Sequence, residues 1–134
     1  MIEIEEMHRR FDNSPYALQL GMKVVEISHG YSRIELELKQ EFLNWDNMIH
    51  GGVIVSLLDQ AFGSATNTLE NIHVAGQLNV HFMGAASVGE TIYAECKVLH
   101  AGRRMGTSEM TVTSSKGKVI ARSTGTTICT GPRT

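Results

Sequence analysis

An α+β fold, with an antiparallel sheet wrapped around one long central helix, is what the sequence predicts, on two observations. The first is one apolar segment from Gly51 to about Leu69, where Ile54, Leu57, Leu58, Ala61 and Ala65 recur at helical spacing. The second is a change of period on either side of it. Ile34, Leu36 and Leu38 alternate with Arg33, Glu35, Glu37 and Lys39, the pattern of a strand with one buried face. The chain has 134 residues, which suits one domain over residues 1–134.

Taken in order, Glu3 to Phe11 reads as a short amphipathic helix. Pro15 breaks it, because the residue before a proline is pushed out of helical space. A further helical turn fits Tyr16 to Leu20 before Gly21. Met22 to Ser28 is the hairpin partner of the strand through Ile34, with His29-Gly30 as the turn. Gln40 to His50 is a loop. Val53, Val55 and Phe62 make the central helix apolar on most sides, hence buried on most sides. Gly63, Ser64 and Ala65 are small, so another element packs close there. Four strands follow, His73–Met83, Glu90–His100, Arg104–Ser114 and Lys118–Cys129, read as joined largely by hairpins. Such a sheet leaves edges to be paired or blunted, so at least a homodimer is expected.

Composition removes several function classes. Hydrophobic content is 42%, charged content 19% and the formal net charge −2, with no block of like charge. A nucleic-acid protein would show a basic face, so none is expected as a partner. No stretch reaches the length of a membrane span, and the N-terminus lacks the apolar core of a secretory signal. Cys96 and Cys129 match no zinc or redox spacing and, in apolar alternating segments, read as buried free thiols of a cytoplasmic protein. The six histidines are scattered, and no metal site is expected.

The candidate site is the stretch NMIHGGVIVSLLDQAFG, residues 47–63. From Asn47 to Leu69 there is no Lys, Arg or Glu, and Asp59 is the one acid. A carboxylate buried in an apolar helix is costly unless it is satisfied, protonated or used. Two glycines at a helix start weaken the helix, yet they let a ligand reach the free N–H groups of the first turn, where the helix dipole favours partial negative charge. The alternative is that Gly51 and Gly52 only permit tight packing, and that Asp59 is satisfied by local hydrogen bonds. Asp59 lies eight residues beyond Gly51, about 12 Å along the axis. The two cannot easily meet at one small group within one chain, but in a two-fold dimer with antiparallel helices they could meet across the interface.

Asn44, then His50-Gly51-Gly52, then Asp59 nine residues after His50, resembles the signature of the PaaI-like acyl-CoA thioesterases of the hotdog fold. QLNVHFMGAASVGE at 77–90 and VLHAGRRMGTSEMTVTSSKGKVIARSTGT at 98–126 extend the likeness over almost the whole chain. The resemblance implies a homodimer, with pairing into tetramers common in such families, and two shared sites that take acyl-CoA as substrate with no separate cofactor. In each, the Gly51 N–H would polarise the thioester carbonyl, Asn44 would orient water or substrate, and His50 would shape the turn. Asp59 from the second chain would be nucleophile or general base. Gly52 would line the site, and Gly102-Arg103-Arg104 would meet the coenzyme A phosphates. Relatives can carry a hydroxyl where this chain has Ala75 or Gly63, and Gln77 is the expected substitute. Two other functions fit less well: a hotdog hydratase or dehydratase, whose His-carboxylate motif is missing, and a non-catalytic acyl-CoA binder or sensor, which has no need of Asp59.

Overall fold

The computed structural model describes residues 3–133. Helices α1 (Ile4–Asp12) and α2 (Pro15–Leu20) lead into strands β1 (Lys23–Ser28) and β2 (Tyr31–Glu37). A 3₁₀ turn at Gln40–Phe42 precedes the central helix α3 (Gly51–Thr66). Then come β3 (Asn71–Phe82), β4 (Thr91–Ala101), β5 (Met105–Ser114) and β6 (Val119–Pro132). The strands form one six-stranded antiparallel sheet in the order β1-β2-β4-β5-β6-β3, with α3 packed on one face. The α+β architecture read from the sequence is the one observed. No helix among the described residues is long and apolar enough to cross a membrane.

The packing follows the two periodicities. Ile54, Leu57, Leu58, Ala61, Phe62 and Ala65 of α3 meet inward positions of the sheet such as Ile34, Leu36, Ile92, Ala94, Met110 and Val112, all buried. Phe62 lies so close to β6 that a Cβ on Gly125 would come within 2.6 Å of its ring. The small residues Gly63 to Ala65 do accept a close neighbour: Phe11 of α1 sits where a Cβ on Gly63 would touch it at 3.4 Å. Gly30 closes the β1–β2 hairpin with φ of +71°, and its N–H donates to Thr68 Oγ1 in the turn just after α3.

Three expectations need correcting. The helix ends at Thr66 rather than Leu69, because the polar side chains there turn back on the last carbonyls. Thr66 Oγ1 donates to Phe62 O, Asn67 Nδ2 to Gly63 O and Thr68 Oγ1 to Ala65 O, which satisfies groups a longer helix would have used. Second, β3 and β4 are not a hairpin. The connection at 83–90 crosses the sheet, and β3 pairs with β6 at the edge opposite β1. Third, of the two free cysteines only Cys96 is fully buried, where desolvation pushes its thiol up to about 12; Cys129 is half-buried.

Candidate active site

The loop before α3 is braced by its own polar groups. Asn44 Oδ1 accepts from the N–H groups of Asp46 and Met48, and the Asn44 N–H donates to Met48 O. The His50 N–H donates to Phe42 O, so the end of the loop is tied to its start. Both lone-pair directions of the Asn44 amide oxygen are thus occupied, and its NH₂ is the group left to meet a ligand.

His50 is the N-cap of α3. Its Nδ1 accepts from the Gly52 N–H at 2.8 Å, which requires that Nδ1 carry no proton and makes Nε2 the donor whenever the ring is neutral. The cap explains the second glycine, since a Cβ on Gly52 would lie 2.9 Å from His50 Nδ1. It also changes the role expected for Gly52, whose N–H is consumed by the cap. The Gly51 N–H is different: at the first helical position it has no intrahelical acceptor, and none is found among the described residues. Gly51 and Asn44 open together onto a groove of about 320 Å³ walled by Met48, Ile49, Ile54 and Phe82. The opening of α3 therefore offers two free donors at the mouth of an apolar groove.

Asp59 is exposed rather than buried, which corrects the sequence reading; that it does not line the Gly51 groove of its own chain agrees with the eight-residue separation along α3. Its carboxylate has no hydrogen bond or ion pair among the described residues. The protein around it still removes enough water to raise its carboxyl above the ordinary 3.8. Gly52, Ser56, Asp59 and Gly63 follow one another at helical spacing on the side of α3 turned away from the sheet.

Sequence reasoning missed one pair on that same side. The Tyr16 hydroxyl of α2 is 2.8 Å from Ser56 Oγ, which also donates to Gly52 O. Gly63, one turn after Asp59, carries no hydroxyl, but Ser56 supplies one a turn before it. Ser56 was legible as the first hydroxyl in the helix; the contact with Tyr16, 40 residues away, had no local signal.

The remaining predicted residues lie apart in the protomer. Gln77 follows a bulge in β3 and pairs with Thr126. Alternation with Leu78, which packs on the core, turns it to the sheet face away from α3, so it does not stand in for a hydroxyl beside its own chain's Asp59. Gly102, Arg103 and Arg104 form the β4–β5 turn, held by the Gly102 N–H on Met105 O, with both arginines exposed. Met105 pairs with Ile128, and Ile128 with Val74 near the start of β3, whereas Phe82 at its end touches the Gly51 position. Eight residues of strand, about 26 Å, separate the arginine turn from the groove of the same chain.

A six-stranded antiparallel sheet on a single helix whose N-terminus offers a free N–H, with a partly dehydrated carboxylate two turns on, defines a class. The chain belongs to the thioesterase superfamily, which residues 46–121 match, and its architecture is the hotdog fold. Among individual proteins it is 26% identical over 117 residues to the acyl-coenzyme A thioesterase PaaI of Escherichia coli, covering 87% of this chain and 84% of that one. The solved structure of that PaaI protein, from the phenylacetic acid degradation operon, superposes with a TM-score of 0.90 at 25% identity over 96% of this chain and 93% of that one. An Archaeoglobus fulgidus protein named as a candidate esterase is 37% identical over 107 residues, 80% of this chain and 70% of its own. A Streptococcus mutans protein solved bound to acetyl CoA gives a TM-score of 0.80 at 26% identity over 84% and 91% of the two chains.

Proposed function

We propose that this protein hydrolyses acyl-CoA thioesters to a carboxylic acid and coenzyme A, at sites shared between two copies of the chain. The observation that carries the reading is the free Gly51 N–H at the N-terminus of α3, opening on a groove of apolar walls. A thioester carbonyl oxygen that accepts from this N–H meets the positive end of the helix dipole, and the charge it gains in the tetrahedral transition state is stabilised there. The Asn44 NH₂ reaches the same groove and orients the carbonyl or the attacking water. His50 fixes the turn through its cap. The apolar acyl group lies along Met48, Ile49 and Phe82.

Asp59 supplies the attack, as base on a water or as nucleophile, and it does so in the second copy's site. The support is geometric. Strand β3 is a sheet edge, 12 residues long without Lys, Arg, Asp, Glu or Pro, and with Val74 and Phe82 exposed. Such an edge is open to pairing with its own copy. Two-fold antiparallel pairing there sets the two α3 helices antiparallel and carries Asp59 of one chain toward Gly51 of the other. The same rotation returns Arg103 and Arg104 from the far end of β3 to the mouth of the second copy's groove, where guanidinium groups suit the coenzyme A phosphates. The homodimer, and any pairing of dimers, belongs to this proposal. So does a cytoplasmic location, which the two free thiols suit. The substrate brings coenzyme A, and the reaction needs no separate cofactor.

Release of free thiol from a panel of aliphatic and aromatic acyl-CoAs tests the reading. Turnover of at least one member is expected, with the preferred acyl group naming the substrate class. A protein that binds acyl-CoA yet releases no thiol across the panel would instead be a sensor or accessory subunit.

A further inference from the structure

A second cavity, of about 420 Å³, lies at the opposite end of α3 from the Gly51 groove, between α1, the α3 C-cap and the start of β3. Met7, Phe11 and Ile72 give it apolar wall, Arg10, His73 and Arg133 bring positive or protonatable nitrogen, Ser14 and Asn67 are neutral and polar, and no carboxylate lines it among the described residues. Sixteen residues of helix, about 24 Å, separate it from Gly51 of the same chain.

The charges in this cavity are unbalanced. Arg133 donates through one terminal nitrogen to the carbonyls of Asn67, Leu69 and Asn71, which are neutral acceptors. Its Nε is sealed from solvent and has no partner among the described residues. Arg10 forms no ion pair among them, in contrast to Arg9, which is taken by Glu6. His73 commits Nδ1 to Thr127 Oγ1 at 3.1 Å and is otherwise buried against the cavity. Burial and the nearby Arg10 lower the pKa of Arg133, and burial and Arg133 lower that of His73. A guanidinium stays charged regardless, and among the described residues no anion lines the cavity to balance Arg10 and Arg133.

We propose that this cavity binds a small organic carboxylate, its acid group on the Arg10 and Arg133 guanidiniums and its apolar body against Met7, Phe11 and Ile72. An inorganic anion would leave the apolar wall unused, and an apolar molecule without charge would leave the arginines uncompensated. An acid with an apolar body is also the chemical class released by thioester hydrolysis. That link to the product rests on the hydrolase reading; the binding itself does not.

The test is titration of the full chain with octanoate, n-octylamine and inorganic phosphate, followed through the His73 ring signals by NMR. Octanoate is expected to shift them saturably, octylamine to leave them unmoved, and phosphate to bind more weakly than octanoate. Because Arg133 also ties the turn after α3, the decisive variant is Arg10→Met on the exposed face of α1, expected to weaken octanoate about tenfold through loss of one charge-assisted contact. The proposal is overturned if octanoate leaves His73 unmoved into the millimolar range, if octylamine or phosphate binds as well, or if Arg10→Met binds octanoate like the wild type. Thioesterase activity is not read in this experiment, so its failure and the failure of the hydrolase reading are separate events.

Discussion

Replacing Asp59 by Asn is expected to reduce thioester turnover by at least about 100-fold, the usual scale of a general acid–base contribution, while the protein stays folded. The side chain keeps its size and loses only the capacity to take a proton or attack a carbonyl. Stability should move the other way. The folded-state pKa of Asp59 is raised above 3.8 by desolvation. The contribution of this group to stability is therefore fully present below pH 3.8 and is lost as pH rises through the raised folded value, above which the dehydrated carboxylate is a cost. The Asn variant carries no such cost, so its Tm at neutral pH should equal or exceed that of the wild type. The acid limb of wild-type activity should likewise lie above 3.8 if, as proposed, the carboxylate is the form that attacks or takes the proton. An Asp59→Asn protein with wild-type turnover would remove Asp59 from the mechanism.

The largest effect on stability is expected from Phe62→Ala, at about 3–5 kcal/mol. Phe62 is 1% exposed and fills the space between α3 and β6, where Gly125 has no side chain to offer. Truncation leaves a cavity that neither α3 nor a β6 paired on both edges can close. Urea unfolding reads this as a lower midpoint with an unchanged slope. A loss below about 1 kcal/mol would mean that the helix and sheet can approach each other and refill the site.

The contrast between Phe62 and Asp59 shows what could be read from the chain. Apolar spacing at Ile54, Leu57, Leu58, Ala61 and Ala65 was enough to find α3 and the face it buries. The complementary stripe, Gly52, Ser56, Asp59 and Gly63, was equally present, and it marks the side that faces away from the sheet. Val53, Val55 and Phe62 make the helix read as apolar all round, which places Asp59 in the interior; Val53 and Val55 are in fact only half-buried. The start of the helix was legible because the His-Gly-Gly turn is a local signal. Its end was not, since Thr66, Asn67 and Thr68 cap it through side-chain bonds that neither a glycine nor a proline announces.

Pairing across the sheet was the least legible level. Each strand was visible by its alternation, yet nothing in residues 71–82 says that β3 will join β6 rather than β4. The consequence reaches the site. Asn44, His50 and Gly51 come together locally and Asp59 is held from their groove by two turns of α3, but it is the strand order that leaves Arg103 and Arg104 at the far end of the sheet. Tyr16 illustrates the same limit, since its contact with Ser56 depends on where α2 docks rather than on any local pattern.

The central claim, a site completed by a second copy, is tested most directly by mixing two inactive variants. Asp59→Asn removes the carboxylate and leaves the groove; Gly51→Val fills the groove beside Phe82 and leaves the carboxylate. A dimer with one chain of each kind has one site with both defects and one with neither, so it should recover about half the wild-type turnover. Mixed dimers that form and stay inactive would contradict the account, and would mean that each chain builds its site alone.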